Sequence, residues 1–341
     1  MRCITGKYVW LLAISFLLLA VSCSSDSTDT GGGEQSNGSP LQVMLYTTAY
    51  QSNQALSRAA STGYSEYTPL HDITIGLFVL PDTDNPPTAK LIRYSSGVWH
   101  SQAMVEGGHN YTIYGYMPKE SITSSISQSG GNVILTLSGI NAVNADDVCF
   151  VTGVKDEIGD LLQGQFSYAG KSSGNNLRLL MDHLFAALNV QFSVDPDYAA
   201  LRTIKLKSLM VTTTKSSVDA TITLTPNTTD TSVTYSNLTG TSSSATFFES
   251  ATGEVLTDAS ISKYYCCFAP ELCGSLTLVS TYDVYDRKGN KIREDCTATN
   301  KLPNLNAVRG QRVTLSLNVA PTYLGQLSEQ DLDDNLKFTV N

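Results

Sequence analysis

Short alternating runs of apolar and polar residues dominate the chain from Leu41 onward. Leu41–Tyr50, Ile73–Leu80, Tyr111–Met117, Val133–Leu137 and Val148–Val154 are of this kind, as are Leu188–Val194, Ile204–Thr212, Val218–Leu224, Leu276–Val284 and Val313–Val319. Each is rich in β-branched or aromatic residues and bounded by Gly, Pro, Asn, Asp or Ser, the pattern of a half-buried strand between turns. Arg287-Lys288-Gly289-Asn290, between two such runs, predicts a hairpin. Helical spacing is rare. Met181–Leu188 fits either two helical turns or a strand, and Asp197–Arg202 and Ser328–Asp333 fit single turns. Many short strands with few helices predict an all-β chain built from antiparallel sandwiches.

Length divides that chain. The roughly 300 residues after Leu41 exceed one small core and suit two domains in tandem. The alternation breaks at Gly170–Asn176, a Gly-Lys-Ser-Ser-Gly-Asn-Asn stretch, and resumes from Leu177. The expected division is an N-terminal sandwich over 41–175 and a C-terminal sandwich over 176–341. No repeat of fixed period is visible, so a solenoid or propeller is not expected.

The first 40 residues read differently. Arg2 and Lys7 precede an apolar run from Val9 to Val21 and then Ser22-Cys23, the order of a secretory signal peptide over 1–22. The run is too short for a membrane-spanning helix, which needs about 20 residues. Ala20-Val21-Ser22-Cys23 resembles the bacterial lipobox, in which the cysteine is acylated and becomes the first mature residue. Cys23 is therefore the expected lipidation site, and an outer-membrane lipoprotein (palmitate type) facing outward is the expected form. Residues 23–40 contain no Lys or Arg, almost no apolar residue, and Gly31-Gly32-Gly33. That composition buries too little to offset its ordering entropy and predicts a flexible tether with an average span of about 20–25 Å.

Charge narrows the partners. The chain carries a formal charge of −9, and loss of residues 1–22 removes Arg2 and Lys7 to leave −11. An acidic body without a basic block is a poor nucleic-acid binder and has no electrostatic hold on anionic lipid.

Candidate chemistry is sparse. Besides Cys3 and Cys23 the chain has Cys149, Cys266, Cys267, Cys273 and Cys296, an odd number. Export permits disulfides, and Cys267 with Cys273 or Cys296 is one possible pair; small buried thiols are the favoured reading. Cys266-Cys267 lacks the gap of common zinc sites. His71, His100, His109 and His183 sit in no local ligand or nucleophile pattern. Asp331-Leu-Asp333-Asp-Asn335 begins like a calcium loop, but Leu336 stands where the sixth-position glycine is needed. Asn110, Asn227 and Asn237 open N-x-Thr triplets. With no phosphate loop and no recognisable carboxylate pair, no catalytic residue, metal or cofactor is expected, and the chain reads as a non-enzyme.

Several stretches together resemble the fimbrillin family, the pilus subunits of Bacteroidetes. They are the lipoprotein start with its Ser/Gly-rich tether and Leu41-Gln-Val-Met-Leu-Tyr-Thr-Thr-Ala-Tyr50 followed by Ser57-Arg58-Ala59. Gly108-His-Asn-Tyr-Thr-Ile-Tyr-Gly-Tyr-Met-Pro118, Leu180-Met-Asp-His-Leu-Phe-Ala-Ala-Leu-Asn-Val190 and Val308-Arg-Gly-Gln-Arg-Val-Thr-Leu-Ser-Leu317 complete the set. The resemblance implies two transthyretin-like β-sandwiches and export as a lipidated precursor. It also implies that a trypsin-like, arginine-specific protease removes the first strand, and that a strand of another subunit, self or paralogous, fills the groove. On this chain the cut falls between Arg58 and Ala59. The displaced strand is Leu41–Tyr50, with Val43, Leu45 and Thr47 on one face, and Leu336, Phe338 and Val340 mark the candidate donor.

The residues add support of their own. No Lys or Arg lies between Cys23 and Arg58, and the next basic residue is Lys90, so Arg58 is the first site such a protease meets. Small neighbours Ser57, Ala59 and Ala60 within 51–62 suit an exposed loop, where nicking concentrates. Both candidate strands show the period of two that strand exchange requires, as a plain core strand also would. The competing expectation is a surface lipoprotein that binds glycans without polymerising. Its stacking platform would be drawn from Trp99, Tyr264-Tyr265, Tyr282 and Tyr285.

Overall fold

In a computed structural model of the chain the alternating runs are strands. The described residues are 38–48, 50–52, 60–62, 73–81, 88–96, 98–119, 122–156, 163–257, 262–273, 275–302, 305–321 and 336–340. Among them the only helical segments are one turn of α-helix, Pro196–Ala199, and one 3-10 turn, Pro270–Leu272. The all-β expectation holds, and most of the sheet pairing is antiparallel.

Two large sheets organise the molecule. The first runs, in spatial order, Ala60–Thr62, Gln42–Thr48, Asn176–His183, Cys149–Asp156, Asn110–Met117, Ile73–Pro81, Ala89–Ser95, Val98–Ser101, with Ser167–Ala169 also paired to 110–117. All its neighbours are antiparallel except 42–48, which lies parallel to 176–183. The second runs Val143–Asn144, Ser262–Phe268, Ala186–Val194, Gln311–Pro321, Leu336–Val340. Two four-stranded sheets complete the fold: 123–129, 132–141, 217–224, 231–239 in one, and 243–256, 203–213, 276–285, 291–302 in the other. The last of these packs against the second large sheet, where the rings of Phe248 and Tyr264 meet at 4.5 Å.

Burial follows pattern. The edge strand Thr231–Thr239 has no fully buried residue, its Val233, Tyr235 and Leu238 being half-buried, whereas Ser217–Leu224 buries every second residue. Ala186–Val194 buries seven of its nine residues, as a strand covered on both faces must. Its neighbour Gln311–Pro321 lies parallel to it, and the chain reaches that position only by a long crossover. Strands 110–117 and 73–81 approach closely at Gly115, where a Cβ would fall 2.4 Å from Leu77 Cδ2 and 2.7 Å from the Gly76 carbonyl oxygen. The buried apolar side chains form one continuous core from Leu41 to Val319.

Three details of the sequence reading find their physical explanation here. At Met181–Leu188 the chain is strand up to His183, bends at Leu184–Phe185 and is strand again from Ala186, with no helix. The single turn expected at Asp197–Arg202 begins at Pro196. Asp195 caps it by accepting hydrogen bonds from the Asp197 and Tyr198 amides, and the proline at the first helical position costs no bond. The hairpin at 287–290 closes through Asp286, whose Oδ1 accepts from the Lys288 and Asn290 amides at 2.8 Å each, while Gly289 supplies φ +82°. The Ser328–Asp333 turn lies outside the described residues.

One strand departs from the pattern of two consecutive halves. The break in alternation at Gly170–Asn176 predicts Asn176–His183 in the C-terminal half, yet it is laid into the first large sheet between 42–48 and 149–156. After this strand the chain bends at Leu184–Phe185 and continues as Ala186–Val194 in the second large sheet. The Gly/Ser/Asn-rich stretch ahead of it is a surface connection anchored by Asn175, whose Oδ1 accepts from Lys171 N and from Tyr168 Oη.

Candidate functional site

The N-terminal segment threads both large sheets. Ser39–Pro40 pairs with Met104–Val105, the Leu41 amide donates to the Ala103 carbonyl at 2.8 Å, and the Gln42 amide donates to the Asn175 carbonyl at 2.8 Å. Gln42–Thr47 then runs parallel to Asn176–Met181. Further on, Gln51 and Ser52 pair with Gln311 and Arg312 of the second sheet. The other backbone edge of the 42–48 strand is covered only at its end, where Thr47 and Thr48 pair with Ser61 and Ala60. Among the described residues no strand pairs with that edge along 42–46. A cleft of about 500 Å³ opens there instead, lined by Val43, Met44, Tyr46, Trp99, Leu177 and Arg178 among others.

Side chains alternate along this strand. Leu41, Val43, Leu45 and Thr47 are buried, whereas Met44 is 57% exposed and Tyr46 lies half-buried beneath the Arg178 guanidinium, 5.7 Å from its ring centre. Burying Leu41, Val43 and Leu45 stabilises the segment by roughly 1.5–3 kcal/mol per side chain. The same three side chains leave an apolar trough if the strand departs.

The remaining sequence-derived residues are placed as follows. Cys23, Arg58 and Ala59 lie outside the described residues. The strand Leu336–Val340 is paired antiparallel to 311–321, Val340 opposite Leu317 and Leu336 opposite Pro321, at the margin of its own chain's sheet. Of the aromatics considered for a glycan platform, Tyr264 and Tyr282 are buried, Trp99 packs against Tyr94 at 4.9 Å, and Tyr285 sits between the Lys205 and Lys291 ammonium groups. The buried rings of Tyr264 and Tyr282 offer no stacking face, whereas Trp99, Tyr265 and Tyr285 are half-buried.

Where the N-terminal segment crosses between the sheets, Tyr50 enters a buried polar cluster that local spacing did not reveal. Its hydroxyl donates to Asp147 Oδ1 at 2.6 Å and lies 3.4 Å from Cys267 Sγ, and its ring stacks on His183 at 3.6 Å with 18° between planes. His183 Nδ1 is 2.7 Å from Asp147 Oδ2 and 3.7 Å from Cys149 Sγ. Cys149 opens its strand directly opposite His183, and Asp147 lies two residues before it. All five residues are buried. Burial first, and then the negative charge of Asp147, push the Cys149 and Cys267 thiols and the Tyr50 hydroxyl well above their ordinary values. Nearby, Arg309 pairs with Asp182 at 2.6 Å and lies over the Phe150 ring. All five cysteines among the described residues are free thiols, so neither disulfide considered from the sequence is present.

No protein-family model matches the chain. No curated protein is similar to it by sequence. Solved structures are similar in fold at low identity. A candidate cell adhesion protein from Bacteroides ovatus is 12% identical, with 89% of this chain and 96% of that one covered and a TM-score of 0.39. A fimbrial protein from Bacteroides vulgatus is 13% identical, with 78% and 91% covered and a TM-score of 0.35. The fimbrial anchor protein Mfa2 from Porphyromonas gingivalis is 12% identical, with 87% and 95% covered and a TM-score of 0.20.

Proposed function

We propose that this chain is a non-enzymatic structural subunit of a cell-surface fimbria, used in adhesion and polymerised by strand exchange. The observation that carries the reading is the placement of the 42–48 strand. Among the described residues it is paired along one edge over 42–47 and on the other only at Thr47 and Thr48, it buries alternate side chains, and it fills a trough that would be apolar without it. An element of that kind is held by burial and one ladder, and both are reproduced by any strand of matching period.

In this reading the chain is exported as a precursor lipidated at Cys23 and held at the outer membrane by its acyl chains. A trypsin-like protease cuts after Arg58, and the segment carrying Val43, Leu45 and Thr47 leaves. Leu336–Val340 of another subunit is the candidate replacement, already a marginal strand in its own sheet. The bodies are an N-terminal sandwich of 41–175 and a C-terminal sandwich of 176–341, with 176–183 contributed to the first body's sheet as the wall of the trough.

The test is limited digestion of the purified precursor with a trypsin-like protease, followed by amino-terminal sequencing and size-exclusion chromatography. The expected product begins at Ala59 and assembles into oligomers. A product that stays monomeric, or a chain resistant at Arg58, overturns strand exchange. A monomer that is retarded by polysaccharide in an affinity gel would favour glycan binding instead.

A further inference from the structure

We propose that Asp147, Cys149 and His183 form a binding site for a soft divalent cation of the zinc class, closed over by Tyr50 and Cys267. One ligand atom from each of the three residues lies within 4.8 Å of the others. A tetrahedral zinc site with bonds of about 2.0–2.3 Å separates its ligand atoms by roughly 3.3–3.8 Å. The 3.7 Å between Cys149 Sγ and His183 Nδ1 already falls there. The 2.7 Å between His183 Nδ1 and Asp147 Oδ2 is a hydrogen-bond separation that must widen by about half an ångström as the ion takes the proton's place.

Backbone pairing holds two of the donors in place. Cys149 and His183 are direct cross-strand partners, and Asp147 lies in the segment leading into that strand, two residues before Cys149. The fourth position faces the other large sheet. There Cys267 Sγ stands 4.0 Å from Asp147 Oδ1, with the Tyr50 hydroxyl 3.4 Å from the sulfur. A bound ion would therefore join the two large sheets at their junction.

Charge argues the same way. Asp147 is buried, and among the described residues no Lys or Arg pairs with it; the arginine of this region, Arg309, is committed to Asp182. The partners of Asp147 are the Tyr50 hydroxyl and His183 Nδ1, and a cation beside the buried carboxylate would offset the cost of its charge further. A thiolate, an imidazole and a carboxylate are the donor set of zinc rather than of calcium or magnesium. On binding, the Cys149 thiol releases its proton to solvent and coordinates as thiolate. His183 coordinates through the Nδ1 lone pair, with the ring proton on the other nitrogen.

The proposal does not depend on proteolysis, so it is tested on the uncut chain. The full chain is unfolded under reducing conditions and refolded with cobalt(II) as a spectroscopic substitute for zinc. The expected result is the visible spectrum of a tetrahedral cobalt ion with a thiolate-to-metal band, bleached by zinc. Cys149→Ser is expected to weaken the thiolate band and the binding, and His183→Gln to weaken binding, each at least about tenfold in affinity. Cys296→Ser, outside the cluster, is expected to keep both band and affinity. A refolded chain with no cobalt band, or a Cys149→Ser variant that keeps the wild-type band and affinity, overturns the site. Should the variants fail to fold, the wild-type melting temperature decides. It is expected to rise when zinc replaces a chelator, and no rise overturns the proposal.

Discussion

Leu45→Ala tests whether the 42–48 strand is a separable element. Leu45 is 4% exposed and points into the trough between Val43 and Thr47. Large-to-small core substitutions of this kind cost about 2–5 kcal/mol. The strand is paired on its second edge only at Thr47 and Thr48 among the described residues, which leaves it room to close on the space and places this site at the lower end. A loss of about 2–3 kcal/mol is expected, which is roughly a 30- to 150-fold shift in an opening equilibrium. If the strand opens by itself, that factor falls on its own amides and on the facing ladder of 176–181. Hydrogen exchange followed by mass spectrometry reads it directly. Peptides covering 42–48 should exchange roughly 30- to 150-fold faster in the variant, with those of 110–117 and 276–285 unchanged. Equal acceleration in every peptide would mean that the strand opens only with the whole molecule, and the reasoning behind strand exchange would fail.

Two further outcomes follow from the electrostatics and burial. Burial pushes Asp283 up, but the Asp295 amide at 2.9 Å and the Lys291 ammonium at 3.0 Å outweigh it and hold the carboxyl below the ordinary range. Its contribution to stability is then complete above its unfolded pKa of about 3.9 and lost as pH falls through the lower folded value. Urea unfolding from pH 6 downward should show a shallower acid loss in Asp283→Asn than in the wild type, and identical slopes would refute the assignment. Among the thiols, half-buried Cys273 and Cys296 should be alkylated in the native chain before the buried Cys149, Cys266 and Cys267. Labelling of Cys149 as fast as Cys273 would contradict the burial.

Much of the fold was legible because its signals are local. Alternation marked the strand 217–224, and Asp286 to Asn290 carried its own turn chemistry. The placement of 176–183 was not legible. Its residues read only as a strand, and which sheet takes a strand is decided by tertiary pairing, here with 149–156 on one side and 42–48 on the other. The polar cluster was hidden for the same reason. Cys149 meets His183 only through the register of two strands, and Cys267 arrives from a different sheet, so no spacing along the chain announces them. The one local hint was Asp147 and Cys149 two residues apart, on the same side of an extended chain.

The parallel ladder between 42–47 and 176–181 carries a consequence for any assembly built on it. Parallel pairing spaces its hydrogen bonds evenly and slants them one way, so the vacated berth distinguishes the two directions of an incoming backbone. A slip of one residue would also turn the wrong side chains inward. Each copy would therefore receive its neighbour in a single orientation and a single register. Head-to-tail joining under those restrictions gives a directional assembly and, where its rotation does not close a ring, a filament with two chemically different ends, one presenting an empty berth and the other an unused strand.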